Sequence, residues 1–401
     1  MRATHVGVSA FILLLTTGSA LGAGFGFAEQ GAKASGQAGA WIARADDAAA
    51  NWYNPAALVH LEAPEVQLGL NYLDTGSDTQ FSPAPGVSFD AAANATTPAH
   101  FYFAQRIGER LAWGIGLNTP FGLITEWSDP PLTFSSRRAE LRTYLVNPNA
   151  AVKLGEHWSI AAGVDYLSAE VREFSRDAVI GLTPTTVNLT GEGDDWGYNL
   201  AVQLKTGAFS AAAQYRSHMK PEIDGRVSFS GPLGNLLNSS ASTAIAFPAE
   251  TLLGAAWTSR RVDVEIAGYL TEWSDFERIS IDTGNPATSL VIVENWDDTW
   301  SYRLGVAVRP GSDERHEIRA GGVLDESPVP TQYLRPSIPD SDRTGYSLGY
   351  GYLADRWGID AYAMQLEFDD ATANGSLLDG VINGTYSTSI LLVGATFKYR
   401  F

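Results

Sequence analysis

Bulky apolar residues recur at every second position in segment after segment of this 401-residue chain. In Leu111, Trp113, Ile115 and Leu117 one face is bulky, while Ala112, Gly114, Gly116 and Asn118 between them are small or polar. Trp196 to Lys205, Ser301 to Arg309 and Gly345 to Tyr352 repeat the pattern. A period of two is the signature of a strand, since successive side chains point to opposite faces. A soluble sandwich would place the bulky face inward and charges outward. Here the second face is glycine, alanine and scattered ions, which would fill a sandwich core poorly and suits the lumen of a barrel whose bulky face meets lipid. Such a sheet must close, because an open edge would leave backbone N–H and C=O groups unpaired in hydrocarbon.

Composition narrows the choice further. Charged residues make up 18%, against about 25% in soluble domains, and glycine contributes 40 residues. The mean hydropathy is only −0.08, too low for a bundle of helices that each need about 20 consecutive apolar residues. A net charge of −18 without a basic patch argues against nucleic acid as a partner. The chain has no cysteine, so it has neither disulfides nor thiolate chemistry. Its six histidines lack metal-ligand spacing, and the acidic pairs lack a calcium-loop pattern. No metal, cofactor or enzymatic constellation is expected.

The residues divide into three regions. Arg2, the apolar run Val6 to Leu15 and the small residues around Ala20-Leu21-Gly22-Ala23 read as a secretory signal over residues 1–23, cut after Gly22 or Ala23. Residues 24–63 do not alternate; they are rich in Ala, Gly and Ser with interspersed aromatics, as expected of a plug packed inside a barrel. Residues 64–401 then give fourteen strand segments, at 64–73, 99–107, 110–119, 141–154, 157–172, 195–205, 207–230, 249–259, 261–273, 299–309, 315–324, 344–354, 356–368 and 386–401. Connections after even-numbered segments are tiny, such as Gly108-Glu109 and Gly155-Glu156. Those after odd-numbered segments are long and hold most of the prolines. Short periplasmic turns and long external loops are the bacterial outer-membrane pattern, and an even count puts both chain ends in the periplasm. The expected fold is thus an all-β, closed antiparallel 14-stranded transmembrane β-barrel with an N-terminal lumen plug.

Several motifs, in order along the chain, are similar to those of the FadL family of outer-membrane long-chain fatty-acid transporters and their hydrocarbon-transporting relatives of the TodX type. They are Ala23-Gly24-Phe25, Ala45-Asp46-Asp47-Ala48, Asn54-Pro55-Ala56-Ala57-Leu58, Thr119-Pro120-Phe121-Gly122-Leu123, Glu272-Trp273-Ser274-Asp275-Phe276, Arg319-Ala320-Gly321-Gly322 and Asp325-Glu326-Ser327-Pro328-Val329 with Ile338-Pro339-Asp340-Ser341-Asp342-Arg343. The resemblance implies passive uptake of hydrophobic molecules, long-chain fatty acids or hydrocarbons. External loops would capture the substrate and pass it to a site contacted by the N-terminus of the plug, or hatch. A kink in the third strand would open a lateral gap beside Asn54, Pro55 and Ala56, letting substrate avoid the polar lipopolysaccharide layer. Gly114, Gly116 and the following Pro120 are the expected kink formers.

Candidate binding residues follow from the same reading. Phe25 and Phe27 of the hatch start would contact an apolar tail or anchor the plug. Arg303 and Arg319 point to the lumen from neighbouring strands and would either meet a carboxylate or brace lumenal acids. Phe121, Leu123 and Trp127, with Leu236, Leu237 and Phe247, make two external loops unusually apolar, as a capture groove would be. The C-terminal strand, with Phe397, Tyr399 and terminal Phe401, resembles the signal read by barrel-assembly machinery. Outer-membrane lipid and lipopolysaccharide are the other expected partners. A surface adhesin or receptor built on the same barrel is the rival reading.

Overall fold

The computed structural model describes residues 24–74, 79–311, 314–377 and 380–401; the expected signal segment lies outside them. The wall is built from β1 (Glu65–Asp74), β2 (Ala99–Ile107), β3 (Leu111–Asn118), β4 (Arg138–Leu154), β5 (Trp158–Ile180), β6 (Thr183–Thr206) and β7 (Phe209–Arg216). It continues through β8 (Glu250–Thr258), β9 (Val262–Thr271), β10 (Thr299–Val308), β11 (His316–Asp325), β12 (Arg343–Leu353), β13 (Trp357–Phe368) and β14 (Ser389–Arg400). Each strand pairs antiparallel with the next, and β14 returns to β1 from Glu65↔Arg400 to Leu73↔Leu392, closing a 14-stranded barrel without an edge. Gly108, Gly155 and Gly207 take left-handed φ values of 65°, 71° and 57° in the tight turns after β2, β4 and β6, a conformation that a Cβ disfavours.

Alternation along the strands sorts the two faces as the sequence implies. Leu111, Trp113 and Leu117 are exposed on the outer surface of β3, while Ala112, Gly114, Gly116 and Asn118 are buried. Leu68, Leu70, Ile266, Tyr302, Leu304 and Leu348 extend the exposed apolar surface around the barrel, a surface that hydrocarbon tolerates and water would not. Phe397 lies on the same outer face, and the backbone N–H of Phe401 donates to Pro64 O at 3.0 Å, tying the end of the chain to the start of β1.

Two segments differ from the sequence expectation. Residues 173–194, expected as a long loop, continue β5 and β6 as one hairpin that turns at Gly181. Their Thr and Val residues favour extended backbone, and a third strand, Glu222–Phe229, pairs with residues 187–192 of β6 and stabilises the projection. Residues 207–230, expected as one strand, are accordingly split into β7 and this Glu222–Phe229 strand, separated near Pro221. A separate four-stranded sheet, made from Gln80–Ala84, Val87–Asp90, Ala371–Ala373 and Gly384–Ser387, caps one side around buried Phe81, Trp127, Leu132 and Tyr386.

Residues 25–61 fill the lumen and are almost wholly buried. The filling is held by polar contacts to the wall. Glu265 of β9 accepts hydrogen bonds from the backbone N–H groups of Ala43 at 2.7 Å and Arg44 at 3.3 Å, and Arg44 pairs with Asp263 at 3.3 Å. Lys398 sits between Asp47 of the hatch and Asp360 of β13, at 3.5 and 2.8 Å. Tyr269 donates to Gly39 O at 2.6 Å, and Arg303 donates to Ala38 O at 3.0 Å.

Small residues let the backbones touch. A Cβ added to Gly321 of β11 would come within 2.2 Å of the Gln37 carbonyl carbon, and one on Gly349 within 2.8 Å of Gly36 Cα. Neither hatch atom is a side-chain end that can turn aside. Gly321→Val should therefore leave a heat-modifiable, folded barrel but unseat the hatch, raising ion conductance in planar bilayers well above the wild-type level. A variant barrel that stays as silent as the wild type would contradict this packing account.

Candidate functional site

The pairing of the β3 segment with β4 is interrupted at one place. β3 pairs with β2 from Leu111 to Leu117 and with β4 as far as Asn118↔Leu145. Pairing with β4 resumes only at Gly122↔Arg142, in the short strand Gly122–Glu126. Thr119, Pro120 and Phe121 lie between. Pro120 has no N–H to give to a ladder, so a proline here ends regular pairing for a covalent reason.

The hatch supplies the missing partners. Phe27 N–H donates to Pro120 O at 2.7 Å, and Gly122 N–H donates to Phe25 O at 3.0 Å, flanking an antiparallel bridge between Gly26 and Phe121. Gln30 acts as a clamp beside it: its amide N–H donates to Thr119 O at 3.0 Å, and its amide oxygen accepts from Asn118 Nδ2 and Thr119 N–H, both at 3.2 Å. Tyr102 of β2 donates to Gln30 O at 2.6 Å and Tyr53 donates to Ala28 O at 3.0 Å. The first residues of the hatch thus act as a short strand sewn onto the break.

Phe25 is held by its ring as well as its backbone. Its centroid lies 4.8 Å from that of Trp273, 5.4 Å from Phe276, 5.5 Å from Trp296, 6.0 Å from Phe247 and 6.2 Å from Phe121. Most of these contacts are edge-to-face, the geometry that opposes a ring's positive edge to another's negative face. The box is assembled from five positions spread over residues 121–296, which no local pattern groups together.

A cavity of ≈ 490 Å³ lies against this segment, within the roughly 300–1,000 Å³ typical of small-molecule sites. Phe25, Phe27, Leu73, Phe121, Leu123, Leu366, Phe368, Ile390 and Leu392 make its lining chiefly apolar. Arg142 and Arg343 contribute guanidinium groups, and Glu29, Glu140 and Asp340 contribute carboxyls. The cavity also touches Leu117 and Tyr144, which are exposed on the outer face of β3 and β4. A smaller, mostly apolar cavity, ≈ 60 Å³, adjoins it and shares Phe25, Leu123, Glu140, Leu141 and Ile338 with it.

The residues singled out in the sequence are distributed unequally around this centre. Phe25, Phe27, Phe121 and Leu123 line the cavity, and Phe247 joins the Phe25 box. Trp127 is instead buried in the four-stranded cap, donating its indole N–H to Pro336 O at 2.8 Å. Leu236 is exposed, and Leu237 packs on the Val227 and Phe229 cluster of the projecting hairpin, so these two do not meet the Phe121 loop.

Arg303 and Arg319 do not line the cavity. Arg303 pairs with Asp325 at 3.4 Å and lies over the Tyr269 ring at 4.3 Å. Arg319 pairs with Asp360 at 2.7 Å and with Glu317. Both guanidiniums are occupied in bracing. Gly114 and Gly116 lie in unbroken register, so the interruption falls after them; they give room to Asn51 and Leu58 of the hatch. Asn54 donates to Ile42 O at 2.9 Å, and the short helix Pro55–His60 carries Ala56, whose carbonyl accepts from Ser159 of β5 at 2.8 Å. This places Asn54, Pro55 and Ala56 on the inner side of the wall. Gln30 and Arg343 are the contributors the sequence did not flag; the nearest signal was Arg343 closing the Ile338–Arg343 motif.

Outside the wall strands, Glu294 lies against Arg335 at 2.7 Å. Burial pushes its carboxyl up to about 7, with Arg335 pulling the other way. A carboxyl raised on folding gives stability that is complete below its unfolded value and is lost as pH climbs through the folded one. Amide exchange in segments 290–296 and 333–338, corrected for intrinsic rates, should be faster at pH 8 than at pH 5, and Glu294→Gln should flatten the difference. Greater protection at pH 8 would contradict the assignment.

A model of the family described as outer membrane protein transport protein (OMPP1/FadL/TodX) matches residues 13–401. The long-chain fatty acid transport protein of Salmonella typhi is 26% identical over 355 residues, covering 78% of this chain and 79% of that one. Among solved structures, a Pseudomonas aeruginosa FadL homologue has a TM-score of 0.83 at 18% identity, over 94% of this chain and 100% of that one. The toluene transporter TbuX of Ralstonia pickettii has a TM-score of 0.72 at 16% identity, over 94% of this chain and 99% of that one.

Proposed function

Because the chain belongs to the outer membrane protein transport protein family (OMPP1/FadL/TodX), we propose that it carries long-chain fatty acids passively through the outer membrane and releases them sideways through its wall. The short turns face the periplasm in this reading, and the projecting hairpin and four-stranded cap face outward. One observation carries the route: a mostly apolar cavity in the barrel is lined both by the hatch start and by Leu117 and Tyr144 of the outer face. It lies at the place where β3 and β4 cease to pair.

The chemistry needed is modest. An apolar chain gains free energy at about 25 cal/mol per Å² when it leaves water for an apolar lining, and gains similarly on entering hydrocarbon, so no energy source is required. A hydrated sugar layer blocks such a molecule, whereas a gap below that layer does not. Phe25 lines both the small cavity and the larger one. Substrate entering from outside displaces the Phe25 ring from its aromatic box, and the bridge between Gly26 and Phe121 opens with it.

Fatty acids are favoured over neutral hydrocarbons by the guanidiniums of Arg142 and Arg343 in the cavity lining. Arg343 shares the Asp325 carboxylate with Arg303, at 2.9 and 3.4 Å, so one carboxylate serves two cations and the pair keeps positive charge for a ligand head group that reaches Arg343 from the cavity. Among the described residues Arg142 is paired with Glu140 alone, at 2.7 Å. The rival substrate class, aromatic hydrocarbons, is favoured by the box of rings around Phe25. The double variant Arg142→Gln/Arg343→Gln separates the two: fatty-acid uptake into cells should fall by about tenfold, in line with the loss of one charge-assisted hydrogen bond, while toluene uptake stays unchanged. Equal uptake of fatty acid by variant and wild type would move the assignment to hydrocarbons.

A further inference from the structure

Three carboxyls line the large cavity, and two of them are engaged. Glu140 pairs with Arg138 and with Arg142, both at 2.7 Å. Asp340 accepts from Gly24 N–H at 3.1 Å and from the Ser327 hydroxyl at 2.8 Å. Glu29 is different. It is only 6% exposed. Among the described residues, no other residue's donor or cation comes within hydrogen-bond or ion-pair distance of its carboxyl.

The backbone around Glu29 is fixed. Asn71 of β1 donates to Glu29 O at 2.9 Å, Tyr53 donates to Ala28 O at 3.0 Å, and Gln30 is clamped to Asn118 and Thr119. A carboxyl is thus held in a rigid setting with nothing to satisfy it. Buried polar groups in that condition are rare and call for a ligand or a chemical role, and burial of a carboxyl favours its neutral form.

The charged groups that act on Glu29 are Arg303 and Arg343, which oppose that preference, and Asp325, which adds to it. Tyr53, Tyr269 and Tyr362 also stand near, with their hydroxyls donated to Ala28 O, Gly39 O and the Asn71 amide oxygen. Asp325 takes both guanidiniums, Arg303 and Arg343. With Glu29 ionised, two cations face two carboxylates, and this corner of the cavity is neutral. With Glu29 protonated, one positive charge is left over, and Arg343 presents it to the cavity.

We propose that Glu29 hands its proton to the carboxylate of a bound fatty acid, so that the ligand leaves the cavity as the neutral acid. This rests on the fatty-acid reading given above. The step breaks the O–H bond of the Glu29 carboxyl and forms an O–H bond on the ligand carboxylate; Glu29 recovers a proton from water once the ligand has gone. Before transfer the surplus cation holds the ligand. After transfer the corner is neutral and the ligand is uncharged, so that attraction is lost. A carboxylate enters hydrocarbon only at a large desolvation cost, which the neutral acid avoids. One proton therefore serves both binding and release.

The test compares binding with transport in the full-length mature protein. Decanoate labelled with carbon-13 at its carboxyl is followed by NMR in a non-ionic detergent near neutral pH, where a free carboxyl is ionised. Uptake of decanoate and of uncharged decanol is followed in cells. In the wild type the bound carboxyl should resonate as the neutral acid. Glu29→Gln keeps the shape and leaves the corner one charge positive, so it should bind decanoate at least as tightly, with the bound carboxyl at the carboxylate position. Decanoate uptake should nevertheless fall by about tenfold or more, as when a positioned proton donor is lost, while decanol uptake stays unchanged. Glu29→Asp should restore part of the decanoate uptake. A neutral-acid signal that persists in Glu29→Gln, or weakened decanoate binding with altered decanol uptake, the mark of a loosened hatch, would overturn the proposal. A wild type that fails to bind decanoate at all would overturn the fatty-acid reading itself, and this inference with it.

Discussion

A strand that leaves its neighbour inside a membrane wall must find other partners for its backbone, because hydrocarbon offers none and each unpaired group costs several kcal/mol. The stretch from Thr119 to Phe121 is such a place. Pro120 removes a donor and ends the regular ladder, but its carbonyl and the N–H of Gly122 still require bonds. Phe27 and Phe25 supply them, at 2.7 and 3.0 Å. The same residues that complete the wall also close the cavity. In the proposed route, satisfying the backbone and gating the lumen are therefore one interaction. On that route, a ligand that draws the hatch start away must compensate for two broken backbone bonds, which makes the opening conditional on occupancy.

The remainder of the hatch is held in a different way. Glu265 gathers consecutive backbone N–H groups, Lys398 bridges Asp47 and Asp360, and Arg303 reaches Ala38 O. Breaking one member of a buried charged set costs about 3–5 kcal/mol because its partner is left uncompensated. These contacts lie against β9, β10, β13 and β14, away from the break in β3. The plug is thus anchored by buried charges along one side, while its leading residues are attached by uncharged backbone and amide bonds, the Phe25 ring and one bond from Gly24 N–H to Asp340 at 3.1 Å. That asymmetry lets the tip move without expulsion of the whole plug. It also accounts for Arg303 and Arg319, whose guanidiniums are committed to carboxylates that hold strands and hatch in register.

Much of this was legible in the residues. Alternation in Leu111 to Asn118 separates a lipid face from a hatch face because the two environments demand opposite side chains. The glycines of the short turns and the unalternating residues 24–63 marked turns and plug for equally local reasons. The outer region was less readable. Residues 173–194 form strands by pairing with each other across Gly181 and, over 187–192, with Glu222–Phe229, a partner their own composition does not reveal. The Phe25 box joins rings from Phe121 to Trp296, and the clamp by Gln30 depends on Asn118 and Thr119; neither has a spacing to recognise. Trp127 shows the converse: an apolar residue in a loop was read as a capture surface, but a second sheet covers it. Gly114 and Gly116 similarly pointed to irregular backbone, whereas their lack of side chains serves close packing with Asn51 and Leu58.

The most direct measurement is uptake through a barrel whose hatch start is covalently tied to β3. Gly26 and Phe121 form a bridge flanked, not joined, by the two backbone bonds, the antiparallel position in which side chains approach most closely and a disulfide fits. The chain has no cysteine of its own, so Gly26→Cys/Phe121→Cys introduces a single switchable link. Fatty-acid uptake should be abolished in the oxidised protein and return on reduction. Uptake at the same rate in both redox states would show that substrate passes without displacing the hatch start, and would contradict the account.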